Sequence, residues 1–324
     1  MTAQWKAATV IYNPSKIDRE KIEASVMGAA RVNGYDHVYW EATTEDEPGE
    51  SQARVAVNSG IGLVVACGGD GTIRSVAAGM RGSNAELGIV PHGTGNLLVQ
   101  NLDIPRQVTA AIDVAFSGVG RPIDLCDAYV VRPDGTEETY PFTVMAGAGL
   151  DAQMLVRTDP ELKAKIGYLA YCVAALKPLL GGDRMKMTLV SDDHAERVNA
   201  HTVIVGNCGE LAGKMSLFPD ARPDDGIIDV VVMRPKDALG WLHIWSRILA
   251  QIVAKAFFTV TRRGRKLTGQ GRDLRKLRYF QGRSVSVSFE RPEQFEVDGD
   301  LVGEVTEFRV TLDPTSLTVR VPSR

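Results

Sequence analysis

Two glycine-rich junctions constrain this chain more than any other feature. Gly68-Gly69-Asp70-Gly71-Thr72 follows the apolar run Ile61–Cys67 and precedes a helix-like segment, Ile73–Met80. His92-Gly93-Thr94-Gly95-Asn96 follows the next apolar run, Leu87–Pro91, and precedes Leu97–Leu102. Strand, glycine turn and helix, twice in succession, is the grammar of a parallel sheet, and ligands of such sheets bind at the carboxyl ends of the strands. Glycines admit an anion close to the backbone, and a helix N-terminus offers it free N–H groups. An aspartate inside the first junction would repel a bare phosphate. It implies a bridging Mg²⁺, a proton to accept, or a hydroxyl to bind. Asn96 is expected to cap the helix that follows it. No Gly-x-x-x-x-Gly-Lys-Ser/Thr occurs, so the junctions are not a P-loop.

The texture of the chain divides near residue 122. Residues 1–121 alternate strand-like runs (Ala8–Tyr12, His37–Trp40, Ile61–Ala66, Leu87–Val90) with helical spacing (Lys16–Val32, Glu50–Asn58, Ile73–Met80, Val108–Phe116). Residues 122–324 are dominated by period-2 segments: Thr139–Met145, Met185–Val190, Val198–Val205, Ile227–Met233, Ser284–Phe289, Phe308–Leu312 and Leu317–Val321. They predict an antiparallel sandwich interrupted by helices near Pro160–Leu180 and Lys236–Val260. The expectation is an α/β domain followed by a β domain, with the last strand free to return to the first.

A net charge of −3 gives no general attraction to nucleic acid. Cys67, Cys126, Cys172 and Cys208 form no Cys-x-x-Cys pair and read as reduced core residues, so a cytoplasmic setting is expected. Met1–Lys6 runs directly into a strand and predicts no signal peptide. The longest apolar run, Ile166–Leu180, carries Lys177 and is too short to span a bilayer. A basic run, Arg262, Arg263, Arg265, Lys266, Arg272, Arg275, Lys276 and Arg278, suits contact with an anionic membrane surface or is a solvated loop; it lacks the interleaved aromatics of an RNA binder. Gly147-Ala148-Gly149-Leu150-Asp151-Ala152 matches a dinucleotide fingerprint by chance, since no second strand with an acidic end follows; a glycine turn lining an acceptor groove fits it better. His92 reads as a surface-loop residue or a nucleotide contact.

These motifs together resemble the diacylglycerol kinase catalytic family, which includes bacterial lipid kinases and sphingosine kinases, with NAD kinases as distant relatives. The resemblance rests on Asn13-Pro14-Ser15-Lys16, Gly68–Thr72, Gly93–Asn96 with Leu102-Asp103-Ile104-Pro105, Phe142–Ala152, Pro219–Gly226 and Val297-Asp298-Gly299-Asp300, in family order along nearly the whole chain. It implies an NAD kinase-like Rossmann-type α/β domain with a β-sandwich behind it. It also implies an ATP- and Mg²⁺-dependent kinase of a lipid hydroxyl, peripheral to the membrane, in a possible homodimer.

By this resemblance the nucleotide contacts are Asn13, Pro14, Ser15, Lys16, Thr44 (or Thr43), Gly68, Gly69, Asp70, Gly71, Thr72, Arg74, Gly93, Thr94, Gly95 and Asn96. Asp300 is the expected base, one methylene shorter than the glutamate common there. Asp70 is the expected Mg²⁺ ligand or competing base, and Asp124 a third candidate. A structural Mg²⁺ is expected on Asp225 with the main-chain carbonyls of Arg222 and Ile227. Arg74-Ser75 stands where the family often has Asn-Glu, so Arg74 either contacts phosphate or faces solvent. Plain structural roles for Lys16, Asp124, Asp225 and Asp300 stay open at this point. So do a kinase of a soluble, NAD-like acceptor and a regulator without catalysis.

Overall fold

The computed structural model describes residues 6–93, 95–149, 184–192, 194–211, 215–234 and 277–323. Thr94, Asp151, the expected helices near 160–180 and 236–260, and the basic run up to Lys276 lie outside the described residues. The first part runs β1 (Ala7–Tyr12), α1 (Arg19–Val32), β2 (His37–Ala42), α2 (Glu50–Asn58), β3 (Leu63–Gly68), α3 (Asp70–Met80), β4 (Glu86–Pro91), α4 (Leu97–Asn101) and α5 (Val108–Ser117). Strands then take over: β5 (Val119–Val131), β6 (Glu137–Phe142), β7 (Met145–Ala148), β8 (Met185–Ser191), β9 (His194–Ala200), β10 (Thr202–Gly206), β11 (Glu210–Leu211), β12 (Met215–Ser216), β13 (Ile228–Met233), β14 (Leu277–Gly282), β15 (Ser284–Val297) and β16 (Asp300–Val321).

The order β4-β3-β1-β2 is parallel throughout. Its inner strands are continuous apolar runs because helices cover both faces: β3 is buried along its whole length. Ile11, Val64, Ala66, Ile73 and Val76 fill one side of this sheet, and Val10, Val26, Val65, Cys67 and Phe116 the other. All four strands end at one edge. There Asn13 N–H donates to the Cys67 carbonyl (3.0 Å), Thr43 N–H to Tyr12 (2.9 Å) and His92 N–H to Gly68 (2.7 Å). The loops that carry the candidate residues are therefore laced side by side.

The second part is a β-sandwich folded from the same sheet, 14-stranded among the described residues. β15 changes layers along its length: Val285–Phe289 pairs with β8, and Phe295–Val297 pairs with β7. The register against β16 breaks between Ser288 and Glu293, an irregularity that lets the strand bend. Inward residues of both layers meet in one core that includes Val130, Phe142, Val203, Val230, Val287, Phe295 and Phe308. β16 is antiparallel to β5 from Glu307 to Val321, and Thr318 and Val319 also pair in parallel with Glu86 and Leu87 of β4. One strand thus belongs to both parts, where the sequence suggests two short strands, 308–312 and 317–321. The register shift between Asp313 and Leu317 breaks the alternation that would have joined them. Gly147 is a residue of β7, not a turn: a Cβ there would lie 2.3 Å from the Val203 carbonyl oxygen. Its glycine serves close strand packing, while Gly149, just past the strand, has the positive φ (85°) of a turn and residues 150–152 lie outside the described residues.

Candidate active site

The first glycine junction is tighter than its sequence suggests. Gly68 ends β3, Gly69 is the only linking residue, and α3 begins at Asp70, three residues before the expected Ile73. A Cβ on Gly68 would lie 2.6 Å from Thr72 Cβ, so this glycine makes room for the buried Thr72. A Cβ on Gly93 would lie 2.8 Å from Gly69 Cα. Gly69 and Gly93 therefore let the two junctions touch, and the N-terminus of α3 opens onto the shared edge.

Asp70 joins the junctions through hydrogen bonds. Its Oδ2 accepts from Asn96 N–H (2.8 Å) and its Oδ1 from Leu97 N–H (2.7 Å), so it caps α4 from across the edge. Asn96 does not cap that helix with its side chain, contrary to the sequence expectation. Its backbone is left-handed (φ 48°), and its side chain exchanges two bonds with Gly93. Burial holds the Asp70 carboxyl above the usual carboxylate range, and the Leu97 and Asn96 amides pull it back.

A carboxylate from the far end of the chain reaches the same place. β15 and β16 are joined by Asp298-Gly299, both with positive φ (50° and 88°), the two-residue turn that suits the twist of a hairpin. Asp298 is 5% exposed and accepts from the amides of Thr143, Val144 and Met145, each at 2.9 Å, and from the Thr143 hydroxyl at 3.2 Å. That anchor presents Asp300, 56% exposed on its side chain, to α3. Asp300 Oδ2 lies 3.4 Å from where a Cβ on Gly71 would be, and it accepts from Arg74 Nη2 at 2.8 Å. Arg74 neither faces solvent nor lacks a partner. The anchoring role of Asp298 carries no local sequence signal beyond the Asp-Gly turn.

On the same strand-end edge an open cleft of about 750 Å³ is lined by Tyr12, Pro14, Ser15, Lys16, Asp18, Arg19 and His92, among others. Asn13 shapes it: its side chain accepts from the Ser15 amide (2.9 Å) and hydroxyl (2.7 Å). His92 lines this cleft, and its Nδ1 is buried without a hydrogen-bond partner among the described residues. Thr44 accepts from Glu47 N–H (3.0 Å) in the turn before α2, while Thr43 is buried.

The other acidic candidates are elsewhere. Asp124 is fully buried, accepting from Gly226 N–H (2.8 Å) and Thr315 N–H (2.7 Å), so the candidate base is a structural carboxylate tying the 223–226 turn to β16. Asp225 accepts from Ile227 N–H at 3.0 Å, and burial raises its carboxyl. Asp224 pairs with Arg121 at 2.7 Å and Arg222 at 3.4 Å. Among the described residues no three His, Cys, Asp or Glu side chains converge on one point as a metal site. The hard oxygens of Asp70, Asp225 and Asp300 are of the kind Mg²⁺ takes, mostly alongside water and phosphate, and so fit that ion.

Comparison with known proteins agrees with this fold. Residues 7–128 match the diacylglycerol kinase catalytic domain, and residues 144–321 match the YegS C-terminal NAD kinase beta sandwich-like domain. A probable YegS-like lipid kinase of Xanthomonas euvesicatoria is 30% identical over 234 residues, 70% of this chain and 74% of that protein. A diacylglycerol kinase of Staphylococcus saprophyticus is 25% identical over 317 residues, 93% of this chain and 90% of that protein. The chain spans 55% of the length of an uncharacterized Synechocystis protein to which it is 26% identical. A crystal structure of a putative diacylglycerol kinase from Bacillus anthracis has the same fold, with a TM-score of 0.70, 20% identity, and coverage of 99% of this chain and 97% of that one.

Proposed function

Because the chain belongs to the family of diacylglycerol kinase catalytic domains and YegS-like lipid kinases, we propose that it transfers the γ-phosphoryl group of ATP to a hydroxyl of diacylglycerol or a related lipid. One observation carries the assignment of roles. Asp300, an exposed carboxylate on a rigid hairpin, is delivered to the N-terminal turn of α3 beside the two glycine junctions. Phosphoryl transfer is mostly positioning and charge neutralisation, and this edge supplies both.

Lys16 and the free amides at the start of α3 bind the phosphates in this reading, and the walls around Pro14 and His92 take the rest of the nucleotide. Asp300 accepts the proton of the acceptor hydroxyl as its oxygen attacks the γ-phosphorus and ADP leaves. Asp70 fixes the relative position of the junctions, and its carboxylate would also help hold the metal. Mg²⁺, when bound, neutralises the phosphate charge, with a second, structural ion on Asp225 and the carbonyls of Arg222 and Ile227. No helix among the described residues is long and apolar enough to cross a membrane. In this reading a lipid acceptor is met at the bilayer surface, where the basic run 262–278 supplies attraction to anionic headgroups.

The test is incubation with γ-labelled ATP, Mg²⁺ and a panel of micellar lipids, with NAD in a parallel reaction. Label in an organic-extractable product is expected. Label in NADP alone would move the assignment to a soluble acceptor, and nucleotide binding without label in any product would favour a regulator.

A further inference from the structure

Arg74 lies one turn into α3, and its guanidinium spans the tip of the β15–β16 hairpin. Nη1 donates to the Val297 carbonyl at 2.8 Å, and Nη2 donates to Asp300 Oδ2 at 2.8 Å. The arginine side chain is only 17% exposed, so the fork is held from the helix side, while the carboxylate it grips faces solvent. A planar guanidinium offers two donors in fixed geometry, which a lysine cannot do. The same helix begins at the first glycine junction, and Gly71 leaves the space between that junction and Asp300 open.

An aspartate reaches about one C–C bond, ~1.5 Å, less far than a glutamate. The fork holds the hairpin tip against α3, the side from which a shorter carboxylate must be presented. The geometry points to Arg74 as a positioning residue that holds Asp300 at the nucleotide end of α3 and makes aspartate, rather than glutamate, the productive carboxylate at position 300. This inference rests on the reading of Asp300 as the base. It differs from a role for Arg74 as a phosphate ligand, because the guanidinium is already committed to the hairpin.

A mutant cycle on the full chain tests it. In Arg74→Met, kcat falls about tenfold while KM for ATP changes less than about twofold, the pattern of a misplaced group rather than a lost ligand. Arg74→Lys recovers part of the loss, since an ammonium can hold the carboxylate but not the carbonyl as well. Asp300→Glu alone also falls about tenfold, and combining it with Arg74→Met restores activity above either single variant. A large rise in ATP KM at unchanged kcat in Arg74→Met, or losses that simply add in the double variant, would overturn the proposal.

A second measurement needs no turnover. Amide exchange at Gly299, Asp300 and Leu301 in the nucleotide-free protein rises about tenfold in Arg74→Met if the fork holds the tip. Unchanged exchange contradicts positioning whatever the kinetics give. Faster exchange in a protein that phosphorylates no lipid supports positioning while rejecting the reaction.

Discussion

At the tip of the β15–β16 hairpin, Asp298 turns both oxygens onto three backbone amides, and Asp300, two residues on, stays exposed with one side-chain partner, Arg74. At the 224–226 turn the carboxylates are spent on structure: Asp224 on Arg121 and Arg222, Asp225 on its own turn, and Asp124 on the amides of Gly226 and Thr315. Both regions are rich in aspartate and glycine, yet only the hairpin presents an exposed carboxylate to the N-terminus of a helix. The density of acidic residues does not mark the site. What marks it is one carboxylate consumed as an anchor so that a neighbour is held rigid and open.

The comparison breaks most visibly at the anchor. Asp298→Ala leaves three amides, two of them buried, and a hydroxyl without an acceptor, and an unfolding free energy about 4 kcal/mol lower is expected in urea titration. A loss below about 1 kcal/mol would show that the turn is held by something else. Asp70→Asn should lower turnover at least ~100-fold. It should also cost about 1 kcal/mol of stability, because an amide NH₂ would face one of the two α4 amides that the carboxylate now accepts. Turnover at the wild-type level would remove Asp70 from the site.

Asp124→Asn sharpens the contrast from the other side, with about 2 kcal/mol of destabilisation and nucleotide affinity unchanged. Weakened nucleotide binding in a well-folded variant would reinstate it as a site residue.

The smallest effect concerns Asp229, buried on β13, where burial raises the carboxyl although Gln281 Nε2 donates to it at 2.9 Å. A carboxyl raised in the folded state binds its proton more tightly there than in the unfolded chain. Its ionisation therefore removes stability as pH rises from the ordinary aspartate range through the folded value. Asp229→Asn should gain up to about 1 kcal/mol over wild type at pH 7. That gain should vanish as the pH approaches 3.5, and a pH-independent difference would contradict the burial argument.

The parallel half was legible because its inner strands are buried on both faces and read as unbroken apolar runs: Leu63–Gly68 needed no tertiary knowledge. The long strands β15 and β16 were not, because their register shifts interrupt the alternation and leave shorter period-2 fragments. The site was legible as motifs but not as contacts. Asn96 has the right residue type for a cap, yet its left-handed backbone turns the side chain to Gly93, and the cap comes from Asp70, 26 residues earlier. Arg74 could not be told from a solvent-facing or phosphate-binding cation, because its partner lies 226 residues away. Local patterns report local geometry, and these two side chains are fixed by how the sheet closes.

The central claim is that Asp300 is reserved for chemistry while Asp298, Asp124 and Asp224 hold structure. The most direct measurement is the single-turnover phosphorylation rate of Asp300→Asn, taken together with its ATP affinity and unfolding midpoint. The account predicts a rate at least ~100-fold below wild type, with ATP binding within about threefold and stability within about 1 kcal/mol, since an exposed ion pair contributes little. Phosphorylation at the wild-type rate would contradict it.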